Sequence, residues 1–119
     1  RRQRQMCIRD SSYANHWKNA AHLIGDADRA GEIETALQAR KPEQAFEGEE
    51  LALMRYAEKL TLSPGDMVEA DVAALRDAGL DDGTILEANQ IICYFNYVNR
   101  SINGLGVTTA GDIVGYYAD

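Results

Sequence analysis

Cysteine is nearly absent from this chain. The only two, Cys7 and Cys93, stand 86 positions apart, so neither a disulfide framework nor a C-x-x-C pair is written into the 119 residues. Proline is as scarce, with two residues against ten glycines, which excludes low-complexity and collagen-like chains. Basic residues are outnumbered, twelve Lys and Arg against nineteen Asp and Glu, and the formal charge is −7. Binding along a phosphate backbone needs a concentrated basic face, so no nucleic-acid partner is expected. No apolar run approaches the roughly 20 residues that span a bilayer, and the N-terminus lacks the apolar core of a signal peptide. No membrane association and a cytoplasmic location are therefore expected.

Chemical motifs are thin as well. The two histidines, His16 and His22, are six positions apart, on different helical faces. Without an HExxH motif, a cysteine cluster or carboxylates at ligand spacing, no metal site and no cofactor is expected. There is no G-x-S-x-G elbow, and Gly104-x-Gly106 follows a helical pattern where a phosphate cradle would open one. No convincing strand alternation and no internal repeat occurs. The expected fold class is all-α, in one domain with a single core, the usual outcome for this length and for 45% hydrophobic and 26% charged residues.

Residues 1–11, RRQRQMCIRDS, differ in character from the rest of the chain. They hold four of the twelve basic residues, and without them eight basic and eighteen acidic residues leave a formal charge of −10. Their wording resembles translated sequencing adapter of the kind found at the ends of environmental assemblies. On that reading they are a foreign or disordered extension, the native chain enters near Ser12 with its upstream part missing, and Cys7 does not belong to it. A flexible basic arm for an acidic partner is the rival reading.

Helical spacing then organises the rest. Tyr13, Trp17, Ala20, Ala21 and Ile24 share a face of a helix that Ser11 or Ser12 can cap and Gly25 can end. Ala30, Ile33 and Leu37 mark a second helix over 26–37, stopped by Lys41-Pro42, and Phe46 anchors the connector 42–48. Leu53, Tyr56, Ala57 and Leu60 make the stripe of a helix over 49–62, with Glu50, Arg55, Glu58 and Lys59 left to its wetter sides; Ser63-Pro64-Gly65 closes it. Asp66 and Glu69 have the form of a capping box for a fourth helix carrying Val68, Val72 and Leu75, with Gly79 as its stop. The tail TTAGDIVGYYAD, interrupted by two glycines, is expected to lie as an extended or short helical segment on the domain or on another subunit.

The stretch 82–106, capped by Asp81 or Asp82, predicts the central helix. Ile85, Ala88, Ile91, Ile92, Phe95, Val98 and Ile102 form an apolar surface wider than a surface helix needs. Asn89, Cys93, Asn96, Arg100 and Asn103 form a polar stripe set into it. Buried amides are costly unless hydrogen-bonded, so the stripe either fixes neighbouring helices or lines a site, and satisfied structural groups are the commoner case. Cys93 reads as a small buried hydrophobe, its thiolate disfavoured by desolvation. The candidate site residues are Tyr13, His16, Trp17 and the asparagines. His16 suits a general acid or base, with Tyr13 three positions away on the same face; two amphipathic residues at a helix start is the plainer reading.

Three consecutive blocks, LALMRYAEKLTLSPG, VEADVAALRDAGLDDGTILEANQ and YFNYVNRSINGLGV, resemble the carboxymuconolactone decarboxylase superfamily in its alkylhydroperoxidase D-like, peroxidase-related branch. The resemblance covers residues from about 12 to 107. It implies an all-helical subunit, incomplete at its N-terminus, that assembles into homo-oligomers and has peroxidase-type antioxidant activity. Peroxidase members carry C-x-x-C and a nearby histidine on the first helix, with an upstream glutamate completing a proton relay; a thiolate attacks the peroxide and its neighbour resolves the sulfenic acid. Here Asp10-Ser11-Ser12-Tyr13, or Ser11 to Ala14, stands where the cysteines would be, Trp17 where a second histidine often stands, and the glutamate helix is missing. His16 is the one transferable catalytic position, with Tyr13 lining the same pocket. Asn89, Asn96 and Asn103 become expected hydrogen-bonding supports. Peroxidase-related activity on a peroxide, acid–base chemistry on a lactone acid and a non-catalytic oligomeric binding module stay open, and with them whether the chain is an enzyme.

Overall fold

The computed structural model describes residues 17–107, and every described element is helical, with no strand among them. Tyr13, His16 and the tail 108–119 lie outside the described residues. So do the first turn of the first helix and the extension 1–11.

Two compact units divide the described residues, 17–31 with 98–107 in one and Glu32–Tyr97 in the other. In the first, helix α1 covers 17–24 and ends where Gly25 takes φ 69°, its N–H reaching the Ala21 carbonyl at 3.3 Å. Asp26 then starts α2 (Ala27–Gln38), its Oδ1 accepting the Arg29 N–H at 3.0 Å, as a short acidic side chain does for an otherwise unpaired helical donor. The last turn of α5 (Asp82–Leu105) also belongs to this unit. It closes with Gly106 at φ 66° and with the Val107 N–H on the Ile102 carbonyl at 3.2 Å.

In the second unit α2 ends on Arg40, which adopts φ 55° without being glycine, while the Lys41 N–H bonds the Ala36 carbonyl at 2.9 Å. Pro42–Gln44 forms a single 3₁₀ turn. In this connector Pro42 and Ala45 are buried and Phe46 is half-buried. Helix α3 (Gly48–Leu62) follows, then a 3₁₀ turn at Pro64–Asp66, α4 (Glu69–Asp77) and the start of α5.

The expected Asp66–Glu69 capping box is not the one formed. Asp66 is consumed by the 3₁₀ turn that proline initiates, Val68 takes the capping position, and Asp71 Oδ2 accepts the Val68 N–H at 2.8 Å. At the other end of α4 the Gly79 N–H bonds the Arg76 carbonyl and the Leu80 N–H the Leu75 carbonyl, at 2.9 and 3.1 Å. Gly79 sits at φ 114°, and an added Cβ would meet Glu49 Oε1 at 2.7 Å. That turn brings buried Leu80 onto buried Leu75, the apolar contact that accompanies this helix ending. Asp81 is the residue that caps α5, accepting the Thr84 N–H at 2.7 Å, while Asp82 pairs with Arg76 at 2.7 Å.

Tyr56, Leu75, Leu80 and Ile85 form the core, with Leu53, Leu60, Met67, Val72 and Ile92 packed around them. Contacts run from Glu49 against Gly79 to Lys59 against Asp71, so α3 and α4 are antiparallel. Tyr56 meets Asn89 and Thr61 meets Asn96, so α3 and α5 run parallel, with α4 as the return.

The expected central position of α5 is not what the structure has. Only Ile85 of α5 is buried; Ile91, Tyr94 and Phe95 are 54%, 62% and 40% exposed. The reason is angular. Ile85, Asn89, Ile92 and Asn96 occupy the sector that meets α3, while Ile91, Tyr94 and Phe95 lie roughly a quarter turn or more away, outside its cover. Asn89 and Asn96 of the polar stripe are thus part of the inner face. Cys93, at the edge of that sector, is exposed, which removes the premise of a buried, desolvated thiol. Among the described residues no helix is long and apolar enough to cross a membrane.

Candidate functional site

Helix α3 carries Arg55, Tyr56 and Lys59 within slightly more than one turn, and the antiparallel α4 brings Asp71, Ala74 and Ala78 opposite them. Lys59 Nζ donates to both oxygens of Asp71, at 2.8 and 2.7 Å, and both side chains are partly shielded from solvent. The hydrogen bond from Lys59, with that from the Val68 N–H, lowers the Asp71 pKa below the ordinary carboxylate value. Lys59 therefore belongs to the α3–α4 junction and not to a wet side of α3, because its long stem lets the ammonium reach across the helix edge.

Tyr56 is buried to 8% exposure, and its hydroxyl donates to Asn89 Oδ1 at 2.8 Å. Burial raises its pKa, and the charges of Cys93 and Asp71 act the same way. The hydroxyl thus stays protonated through the neutral range, a fixed donor whose proton is committed to Asn89. Farther along α5, Asn96 Nδ2 donates to Thr61 Oγ1 at 3.2 Å. Two of the three asparagines expected to support neighbouring helices do so. Asn103, on the final turns of α5, is exposed, so for it the expectation fails.

Between α3 and α4 lies an open cleft of about 410 Å³. Ala52, Ala74 and Ala78 leave this space because their side chains stop at Cβ; Leu51 and Tyr56 add apolar wall, and Arg55 and Lys59 stand along one side. Arg55 is exposed and makes no ion pair with another described residue. No group of three His, Cys, Asp or Glu is placed to hold a metal ion among the described residues.

Comparison with family models, with curated proteins and with solved structures yields no match. The cleft's chemistry therefore rests on its own side chains. With Tyr56 protonated and Lys59 tied to Asp71, the described residues that line it include no free base, and they offer apolar surface beside one unpaired cation. Tyr13 and His16 lie outside the described residues, and Trp17 is half-buried at their edge. Arg55, Tyr56, Lys59 and Asp71 were not among the sequence candidates. The signal that could have found them was the spacing of Arg55 and Lys59, one turn apart beside an alanine-rich α4.

Proposed function

We propose that this chain is an alkylhydroperoxidase D-like, peroxidase-related protein of the carboxymuconolactone decarboxylase superfamily, cytoplasmic and homo-oligomeric, acting on a peroxide or a lactone acid with His16 as its catalytic group and Tyr13 beside it. One observation carries the reading. The first block that resembles the family forms α3, the second α4 with the first turns of α5, and the third the later turns of α5, and side-chain bonds join them: Tyr56 to Asn89 and Lys59 to Asp71 join the first to the second, and Thr61 to Asn96 joins the first to the third. Within each block the residues that make these bonds belong to the quoted motifs, so the resemblance falls on residues that hold the helices together.

The thiol route and the acid–base route separate in one set of assays. Peroxide consumption with a dithiol reductant, measured on the chain and on Cys93→Ser, tests the thiol: loss in Cys93→Ser assigns the route to that exposed group, and no turnover in either sinks it. Decarboxylation of a lactone acid, falling about 100-fold in His16→Ala with helix content retained, is the result expected of acid–base chemistry. A chain that turns over neither substrate overturns both routes.

The exposed Ile91, Tyr94 and Phe95 on α5 favour a second reading, an oligomeric binding module without turnover. Apolar side chains left open in this way are what an interface would cover.

A further inference from the structure

We infer that the cleft between α3 and α4 binds a small organic monoanion with an apolar body, of the class of medium-chain carboxylates. This inference is independent of the chemistry at His16. It follows from the division of charge and apolar surface inside one space of about 410 Å³, within the range of small-molecule sites.

Charge selects the sign and number. Lys59 and Asp71 cancel each other, and the Asp71 carboxylate is further occupied by the Val68 N–H, so the carboxylate is not open to a cation. Arg55, a turn before Lys59 on α3, keeps its charge unpaired among the described residues. One such guanidinium suits one carboxylate, which it can engage with two parallel N–H donors. The chain carries a formal charge of −7, so this cation stands out against an acidic background.

Shape selects the rest. Ala52, Ala74 and Ala78 face the cleft with nothing longer than a methyl group, and Leu51 and the Tyr56 ring extend the apolar wall. A hydrocarbon chain of several carbons lying along this wall would be partly withdrawn from water. Inorganic anions gain nothing from such a wall. The Tyr56 hydroxyl, already bonded to Asn89, does not compete for the ligand's head group.

Octanoate is a suitable probe, with octanol, octylamine and inorganic phosphate as comparison ligands. Titration of the full ¹⁵N-labelled chain, followed by amide shifts, is expected to move residues around Ala52, Arg55, Ala74 and Ala78 at concentrations below about 10 mM. Arg55→Gln is expected to weaken octanoate about tenfold while leaving octanol unchanged, the loss of one charge-assisted pair. Ala74→Leu, at an exposed position of α4 that a longer side chain can enter from, is expected to block binding, with an unchanged circular-dichroism spectrum showing the fold retained. Absence of shifts with octanoate, equal binding of octanol or octylamine, equal binding of phosphate, or octanoate binding indifferent to both substitutions would each overturn the inference.

Discussion

Asp71 shows how one side chain can serve two elements at once. Its carboxylate holds the exposed N–H of Val68 at the start of α4, accepts twice from Lys59 on α3, and lines the cleft between them. Both partners favour the ionised form, which lowers its pKa in the folded chain. A group with a depressed folded pKa contributes stability above its unfolded value, about 3.9, and loses it as pH falls through the folded value. Urea midpoints of the chain are therefore expected to drop as pH is lowered below about 4, and those of Asp71→Asn to fall less over the same interval. Equal slopes for the two proteins would remove Asp71 from this account. None of this was legible in the sequence, where Asp71 reads as one more acid in an acidic helix. Its role depends on Pro64 starting a 3₁₀ turn that shifts the cap from Asp66 to Val68.

Helix α5 is where spacing informed and misled together. Helical extent was legible: the stretch capped by Asp81 and ended at Gly106 forms one helix over Asp82–Leu105. The bounds of α2, α3 and α4 were also legible to within a few residues, because proline, glycine and acidic caps act locally. Which face of α5 turns inward was not, since that depends on where α3 lies. Asn89 and Asn96 face α3 with Ile85 and Ile92, while the richer apolar sector faces away. Of the two amides, Asn89 matters more, because its partner Tyr56 is buried and the Thr61–Asn96 pair is exposed. Asn89→Ala leaves the Tyr56 hydroxyl without its acceptor and is expected to cost about 1–3 kcal/mol. Asn96→Ala is expected to stay within about 0.5 kcal/mol. Chemical denaturation of both variants distinguishes them, and equal costs would show that burial does not set the scale here.

For the whole molecule, all-helical character followed from the absence of strand alternation and holds for every described element. The proposed oligomer concerns surface that no single-chain pattern assigns. Ile91 and Phe95 belong to the wide apolar surface that helical spacing gives α5, and spacing does not distinguish a core from an interface. If these side chains and Tyr94 meet another copy, sedimentation velocity of the chain gives a species larger than 13.1 kDa, and Ile91→Gln with Tyr94→Ser shifts it to the monomer while leaving the urea midpoint nearly unchanged. A monomer at all concentrations for the unaltered chain rules this reading out.

The parallel course of α3 and α5 also bears on the order of folding. Helices that point the same way cannot meet across a tight hairpin, so Tyr56 reaches Asn89 only across 33 intervening steps of chain, whereas Lys59 finds Asp71 across twelve. Shorter loops close at lower entropic cost, which favours the α3–α4 hairpin as the earlier event and the docking of α5 as the later one. A side chain whose contacts form late governs how fast the native state opens more than how fast it is reached. Asn89 then acts as a latch on the lifetime of this unit.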